Sequence, residues 1–352
     1  MENLAAYGIR KQGPDRGLLR IRVTGYEYTV VQILVYPPHA EKGISESFRQ
    51  AGSRYKGREM VETAMRAAFA HQVPFYCAEV QRKGKDIYLT DITKAEEVEL
   101  NRASSGEQGS VTFGADAEYM LKNMRTGRLK ALPVNSGEAE NEADGALIRH
   151  GYAFSKPVFE LHPDPAKSGE ELYQNLIMKK KKLMHAARKS GAQVTSGANP
   201  HGRFMLGGHF HFGNKAPSFN KTAELDAYLA IPYCLIEQRN DAVRRMAGQG
   251  FLGNVRVNCF GGFEYRTLSS WVERLDEAEP LFCYLDWLIR KESLVHPPLE
   301  PGVLKAYYHD DKKELYLYSE RLYSRLTAGL NSEKEKEIIS RFFDWIEHFY
   351  SK

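Results

Sequence analysis

Polar and apolar residues alternate most regularly around Gly207–Gly213, where His209 and His211 alternate with Phe210 and Phe212. Side chains at positions i and i+2 of a β-strand lie on the same face. The pattern therefore predicts a strand with two imidazoles on one face and two aromatic rings packed against a core. The flanking glycines leave room for a ligand or another backbone segment to approach.

Three other segments have the same alternation, with a polar pair separated by one apolar residue. The pairs are Asp116 and Glu118, Glu160 and His162, and Glu264 and Arg266. A single pair means little, because any half-solvated antiparallel strand alternates. If the four strands share a sheet, however, its open face carries carboxylates, imidazoles and a guanidinium. Divalent cations would relieve the repulsion between so many carboxylates and would bring a triphosphate with them.

The remaining periodicity predicts strands before residue 100 and mostly helices after the histidine strand. Strands are expected over 18–36, with a turn at Gly25–Tyr26, and over 73–80 and 86–90. Helices are expected over 57–71, from the Ser168 cap to Lys189, over 222–246 with an interruption near Pro232, and over 281–289, 313–326 and 333–350.

A Ser- and Gly-rich segment at 101–109 predicts a boundary between two domains. Residues 1–105 would form a small α+β domain of unknown role, and residues 110–352 would form a second domain containing all four polar strands. The acidic segment 135–144 is expected to be a surface loop.

Composition narrows the class of protein. Hydrophobic residues make up 42% and charged residues 27%, which is ordinary for a globular protein. A net charge of +4 is too balanced to indicate nucleic-acid binding. The four cysteines lie far apart, and neither a signal peptide nor a membrane-spanning run is visible. The sequence therefore predicts a cytoplasmic protein that binds neither nucleic acid nor membrane.

The polar motifs, in this order, resemble those of the phage-type COOH–NH2 ligases of type 2, a family of amidoligases with the glutamine synthetase/glutamate–cysteine ligase fold. The resemblance rests on the segments around Asp116, Glu160, His209 and Glu264, together with Asp144-Gly145. It implies an α+β fold in which a curved, mostly antiparallel sheet carries helices on its outer face. It also implies ATP and two or three Mg²⁺ or Mn²⁺ ions on the concave face.

The resemblance also implies roles for individual residues. The expected metal ligands are Glu118, Glu160, His209, Glu264 and Asp116. Arg266 is expected to hold the transferred phosphoryl group, with His209 as a further catalytic residue. Apart from the resemblance, the position of Arg256 just before the Glu264 strand makes it the second choice for a catalytic clamp on a phosphate or substrate carboxylate, and Arg203 is the third choice. His211, Arg203 and Arg266 are expected to contact the nucleotide. His162 is left open between the rim of the site and a plain turn residue.

Apart from the resemblance, the residue types themselves fit ATP-dependent amide formation. Amide formation from a carboxylate in water requires an activated acyl group, which phosphoryl transfer from ATP provides. Carboxylates suit Mg²⁺, imidazoles are compatible with Mn²⁺, and arginine binds phosphoryl oxygens in a bidentate manner. The sequence thus predicts an ATP-dependent carboxylate–amine ligase acting through an acyl phosphate.

Two alternatives remain open from the sequence. One is a phosphotransferase similar to the guanidino kinases, and the other is an inactive ligase-fold domain that binds or assembles other molecules. The expected partners are small-molecule or peptide carboxylates and amines. A homo-oligomer, in the simplest case a dimer, is the default expectation for the assembly.

Overall fold

The computed structural model describes residues 4, 7–54, 56–96, 109–133, 146–150, 152–238, 242–246, 249–258, 261–292, 294 and 299–351. The predicted boundary at 101–108, the acidic segment 135–144 and Asp144-Gly145 lie outside them. The chain divides into two compact units. The first spans Met1–Gln108, Ala216–Ala223 and Phe251–Val257, and the second spans Gly109–Lys215, Glu224–Gly250 and Asn258–Lys352.

The first unit is built on a six-stranded sheet in the order β1-β6-β5-β2-β3-β4. The strands are β1 (Arg10–Lys11), β2 (Leu19–Tyr26), β3 (Thr29–Tyr36), β4 (Ile44–Glu46), β5 (Phe75–Lys83) and β6 (Asp86–Lys94). Between β1 and β6 the pairing is parallel, and the other neighbours pair antiparallel. Between β4 and β5 the chain forms helices α1 (Phe48–Ser53) and α2 (Gly57–Ala70).

The predicted strands over 18–36 are confirmed, but the turn between them was placed wrongly. Gly25 and Tyr26 are paired within β2, and the chain reverses at Glu27 and Tyr28. Glu27 adopts a left-handed conformation with φ 48°, an uncommon choice for a residue other than glycine. Glycine content alone therefore misplaced the turn. The apolar stripe predicted on α2, which includes Met60 and Ala64, is buried.

The second unit contains a sheet in which the strand order runs β12-β7-β14-β16, with β8 and β13 also paired to β7. A smaller sheet has the order β10-β11-β9. The strands are β7 (Thr112–Asn123), β8 (Leu129–Lys130), β9 (Leu132–Pro133), β10 (Ile148–His150), β11 (Ala153–Lys156), β12 (Val158–Leu161), β13 (Ala192–Thr195), β14 (Gly208–Gly213) and β16 (Phe263–Tyr265), while β15 (Val255–Val257) belongs to the first unit. In the larger sheet, β7 pairs antiparallel with β8, β12, β13 and β14, and β14 pairs antiparallel with β16.

The aromatic side of β14 is packed as the alternation predicts. Phe210 and Phe212 are completely buried. Phe210 stacks on Trp271 at a ring-centroid distance of 5.5 Å and meets Phe282 edge-on at 5.5 Å. Phe282 belongs to a helix, so a helix packs on the face opposite the imidazoles.

The helices of the second half are α3 (Gly169–Lys189), α4 (Phe219–Leu225), α5 (Ile231–Tyr233), α6 (Ala242–Met246), α7 (Glu279–Arg290), α8 (Pro301–His309), α9 (Lys312–Ala328) and α10 (Glu333–Tyr350). Among the described residues, a π-helical turn also spans Asp226–Ala230, and 3₁₀ turns span Cys234–Ile236 and Val272–Glu277. Within the described residues, none of the helices has the length and apolar character needed to cross a membrane.

Local signals explain where several helices begin and where predictions failed. The Ser168 side chain accepts a hydrogen bond from the Glu171 N–H and so caps α3 as predicted. The helix predicted over 222–246 was expected to be interrupted near Pro232, but Pro232 lies within a helical turn and the backbone becomes extended only at Glu237. Helix α8 was not predicted, although Pro301 at its first position is a recognised start signal.

Candidate metal centre

Strand register brings the predicted polar residues together in pairs. On antiparallel strands, directly opposite residues point to the same face. Asp116 on β7 lies opposite His209 on β14, and His211 lies opposite Glu264 on β16. On the other side of β7, Glu118 lies opposite Glu160 on β12.

Three of these side chains converge on one point. Asp116, His209 and Glu264 each offer a ligand atom within 4.8 Å of the other two. The His209 Nδ1 lies 3.2 Å from the Glu264 Oε1 and 3.9 Å from the Asp116 Oδ2. His209 and Glu264 are buried, with 5% and 1% of their surface exposed.

This donor set fits a divalent cation. Two carboxylates held close together in a largely buried site repel each other, and a cation compensates that cost. Oxygen ligands suit Mg²⁺ and Mn²⁺, and an imidazole shifts the preference toward Mn²⁺. Burial lowers the pKa of His209, which keeps its imidazole in the neutral form that binds metals.

Comparison with known protein families assigns the chain to one of them. The family model described as "Phage phiEco32-like COOH.NH2 ligase-type 2" matches residues 113–351, which is more than half of the chain. The chain belongs to this ligase family. The resemblance noted from the motifs is thereby confirmed. None of the curated proteins matches the sequence.

Two solved structures align over nearly the whole ligase-family chain. A structure of GmaS described as apo and without ligand has 13% identity and a TM-score of 0.41, and the alignment covers 99% of this chain and 95% of GmaS. The glutamine synthetase of Plasmodium falciparum has 9% identity and a TM-score of 0.38, with coverage of 97% and 96%. At these scores no residue role follows from either alignment.

Membership in a carboxylate–amine ligase family implies a carboxylate substrate, an amine substrate and the use of ATP. The polar cluster on β7, β14 and β16 lies inside the matched residues. The chemical properties of these side chains are therefore relevant to a carboxylate–amine ligase.

Asp116 is the centre of the cluster because three imidazoles approach its carboxylate. The His211 Nε2 lies 2.6 Å and the His162 Nδ1 3.7 Å from its Oδ1. Burial by itself raises the pKa of Asp116, but the contacts from His162, His209 and His211 outweigh it and hold that pKa well below its usual range. Asp116 is thus ionised at neutral pH, as a metal ligand must be.

His162 links Asp116 to Glu160. Its Nε2 lies 3.1 Å from the Glu160 Oε2, so both ring nitrogens face a carboxylate. Contacts with Asp116 first and Glu160 second raise the pKa of His162 to about 10. His162, whose role the sequence left open, therefore belongs to the cluster. Its i+2 spacing from Glu160 was the sequence feature that indicated a shared strand face.

Glu118 has a different immediate partner. Its Oε2 accepts a hydrogen bond of 2.7 Å from the Gly207 N–H, and its backbone oxygen accepts one of 2.5 Å from the Ser270 hydroxyl. Of the five predicted metal ligands, the described structure thus brings Asp116, His209 and Glu264 together. Glu118 and Glu160 are neighbours on β7 and β12, and their predicted metal roles stay predictions.

The predicted arginines lie in three different settings. The Arg266 Nε is 3.0 Å from the Glu264 Oε1, and its side chain is 31% exposed. Arg203 is exposed in the loop before β14, with its guanidinium 5.3 Å from the centre of the Phe204 ring. Arg256 lies half-buried on β15, in the first unit. Arg266 thus contacts the Asp116, His209 and Glu264 group directly.

Sequence reasoning missed one buried cation beside this group. Arg244 is only 3% exposed, and its guanidinium donates to the backbone oxygens of Thr267 and Arg266 at 2.7 and 3.2 Å. Its neighbour Arg245 is also buried. Helical periodicity does not identify such a residue, because arginine in a short helix usually indicates a solvated position.

Proposed function

We propose that this protein is an ATP-dependent ligase that joins a carboxylate to an amine through an acyl-phosphate intermediate. The observation that supports this proposal most directly is the convergence of Asp116, His209 and Glu264 beside Arg266. The proposal includes a glutamine synthetase-like catalytic domain, in which a curved antiparallel sheet holds helices on its outer face. Family membership and the antiparallel pairing of β7, β14 and β16 support it.

Asp116, His209 and Glu264 would hold one Mg²⁺ or Mn²⁺ ion, and Glu118 and Glu160 would contribute to a second. A bound ion supplies neutralisation of the negative charge on the phosphate oxygens. Because His209 and Glu264 are buried, their interaction with a bound ion would be only weakly screened by water.

The side chains around the group have separate tasks. Arg266 carries a planar guanidinium at the open edge of the cluster, and we propose that it binds the transferred phosphoryl group. His211, on the same strand face as His209, would contact the nucleotide. Arg256 and Arg203 keep their predicted roles as further phosphate or nucleotide contacts.

The bond changes follow from the family's substrates. A carboxylate oxygen of the donor bonds to the γ-phosphorus of ATP while the bond to ADP breaks. The amine nitrogen then bonds to the acyl carbon, phosphate leaves with one former carboxylate oxygen, and the nitrogen releases a proton to solvent. The products are an amide, ADP and phosphate. The donor and the acceptor are small molecules or peptides.

The test is release of ADP and phosphate with Mg²⁺ or Mn²⁺, against pools of amino acids and short peptides. Turnover should require both a carboxylate and an amine and should fall about 100-fold or more in Glu264→Gln, because this change removes a ligand charge. Glu277→Gln is the matched control, since that side chain is 60% exposed and lies outside the cluster.

The outcomes separate the proposal from its alternatives. Turnover with an amine or guanidine alone, giving a stable phosphorylated product, would replace the ligase with a phosphotransferase. Turnover that survives Glu264→Gln would remove the site assignment. If neither metal nor nucleotide binds, as judged by thermal shift, an inactive scaffold is the better description.

A further inference from the structure

Strands β14 and β16 contain an irregularity next to the candidate metal centre. Phe210 pairs with Tyr265, and further along Gly207 pairs with Ser269. Between these two pairs lie two residues on the β14 side but three on the other, over 266–268. An extra residue of this kind forms a β-bulge, which bends the strand and redirects a side chain. The first residue of the bulge is Arg266.

A bulge leaves backbone groups without their ladder partners, and buried backbone groups need others. The carbonyls of Arg266 and Thr267 find theirs in Arg244, whose guanidinium donates to the Thr267 oxygen at 2.7 Å and to the Arg266 oxygen at 3.2 Å. One planar group thus spans two successive carbonyls of the bulge. A lysine has a single nitrogen and does not match this fork geometry.

Gly250 provides the space for the Arg244 guanidinium. A Cβ atom at Gly250 would lie 2.2 Å from the Arg244 Nη1 and 3.0 Å from the Thr267 oxygen. Gly250 itself has a φ of +70°, and its carbonyl accepts a hydrogen bond of 2.9 Å from the Tyr307 hydroxyl. The space that holds the Arg244 guanidinium is therefore bounded by the backbone of Gly250, which the hydrogen bond from Tyr307 holds in place.

The adjacent arginine shows what an ordinary structural role looks like here. Arg245 forms ion pairs with Glu237 and, at 3.2 Å, with Asp310. Arg244 forms no ion pair with any residue that the structure describes, and it spends two of its donors on the bulge. Burial lowers the pKa of the Arg244 guanidinium and the carboxylates of Glu237 and Glu118 act to raise it, so its charge is partly compensated at a distance while its direct hydrogen bonds go to the bulge.

We propose that Arg244 is a positioning residue that locks the bulge and so directs Arg266 toward Glu264. The Arg266 Nε lies 3.0 Å from the Glu264 Oε1, and this contact depends on where the bulge points the side chain. The inference rests on the proposed function, in which Arg266 binds the transferred phosphoryl group. Arg244 would act through the backbone that carries Arg266.

The first test compares Arg244→Lys and Arg244→Ala with the wild type. A shift of about 1 Å in a positioned group costs on the order of 100-fold in rate, so kcat should fall by about that factor in both variants. The KM for ATP and the affinity for Mn²⁺, measured by calorimetry, should stay within a factor of about three, because Asp116, His209 and Glu264 are retained. Guanidinium ion at a non-denaturing concentration should restore part of the kcat of Arg244→Ala but not of Arg244→Lys.

Gly250→Ala tests the same contact between Arg244 and the bulge without changing Arg244 itself. The added methyl displaces the guanidinium, so kcat should fall as in Arg244→Ala, and the double variant should be no worse than either single one. Gly191→Ala is the matched control: its φ of +66° imposes the same backbone strain, but no atom lies within 4 Å of the added Cβ.

The results distinguish this inference from the proposed function. If the wild type binds Mn²⁺ but turns over no carboxylate and amine pair, the proposed function fails. The inference is then judged from crystal structures, in which Arg244→Ala should separate the Arg266 Nε from the Glu264 Oε1 by at least about 1 Å. An unchanged contact would overturn the inference. Loss of kcat and Mn²⁺ affinity together, without rescue by guanidinium, would also overturn it in favour of a purely structural role.

Discussion

Gly207→Ala tests whether His209 is held in place as a metal ligand. A Cβ atom at Gly207 would lie 2.2 Å from the His209 Nε2, whereas ordinary contact begins at 3.4 Å. The imidazole must therefore move by about 1 Å or more. It cannot swing away freely, because it is buried and its Nδ1 lies 3.2 Å from the Glu264 Oε1. Gly207 does not have a positive φ, so alanine adds no backbone strain there.

Moving one ligand by about 1 Å should weaken metal binding strongly. We expect Mn²⁺ affinity to fall about 10- to 100-fold, which corresponds to about 1.4–2.7 kcal/mol. The assay is calorimetric titration of the metal-free protein with Mn²⁺, alongside Gly302→Ala as a control. Gly302 has no atom within 4 Å of an added Cβ and no positive φ. Unchanged Mn²⁺ affinity in a folded Gly207→Ala protein would refute the assignment of His209 as a ligand.

Three further predictions concern pH and stability. The pKa of His162 is raised from 6.5 to about 10, so its stabilising effect on the metal-free protein is fully present below pH 6.5 and is lost as the pH rises through about 10. Urea unfolding should therefore show a larger stability loss between pH 7 and pH 10 in the wild type than in His162→Gln. Phe210→Ala should lower the free energy of unfolding by about 3–5 kcal/mol, because it removes a completely buried ring stacked on Trp271. Arg245→Met should cost about 3–5 kcal/mol, because it leaves the buried Glu237 carboxylate without its main partner.

Each of these expectations has a result that contradicts it. Equal pH profiles for the wild type and His162→Gln would show that His162 does not carry a raised pKa. A loss below about 1 kcal/mol in Phe210→Ala would mean that the aromatic side of β14 is not a packed core. An Arg245→Met protein as stable as the wild type would show that the pair with Glu237 contributes little beyond a well-packed apolar side chain.

Local pattern was sufficient for the faces of the polar strands. Side chains alternate between the two faces of a strand, so the period of two in Gly207–Gly213 places His209 and His211 on one face and Phe210 and Phe212 on the other. The order of the polar pairs along the chain was sufficient for the family as well. Both properties are carried by neighbouring residues and their succession, which a sequence displays directly.

Tertiary structure decided which of the polar residues meet. Register between β7, β14 and β16 brings Asp116, His209 and Glu264 to one point, while Glu118 engages the Gly207 N–H. Register depends on hydrogen bonds between strands distant in the chain, and no local period encodes it. The burial of Arg244 under the bulge has the same origin. Arg244 donates to two backbone carbonyls that lack strand partners only because β14 and β16 pair with a bulge. The sequence alone therefore predicted the strand that carries Arg266, but not the arginine that binds its backbone.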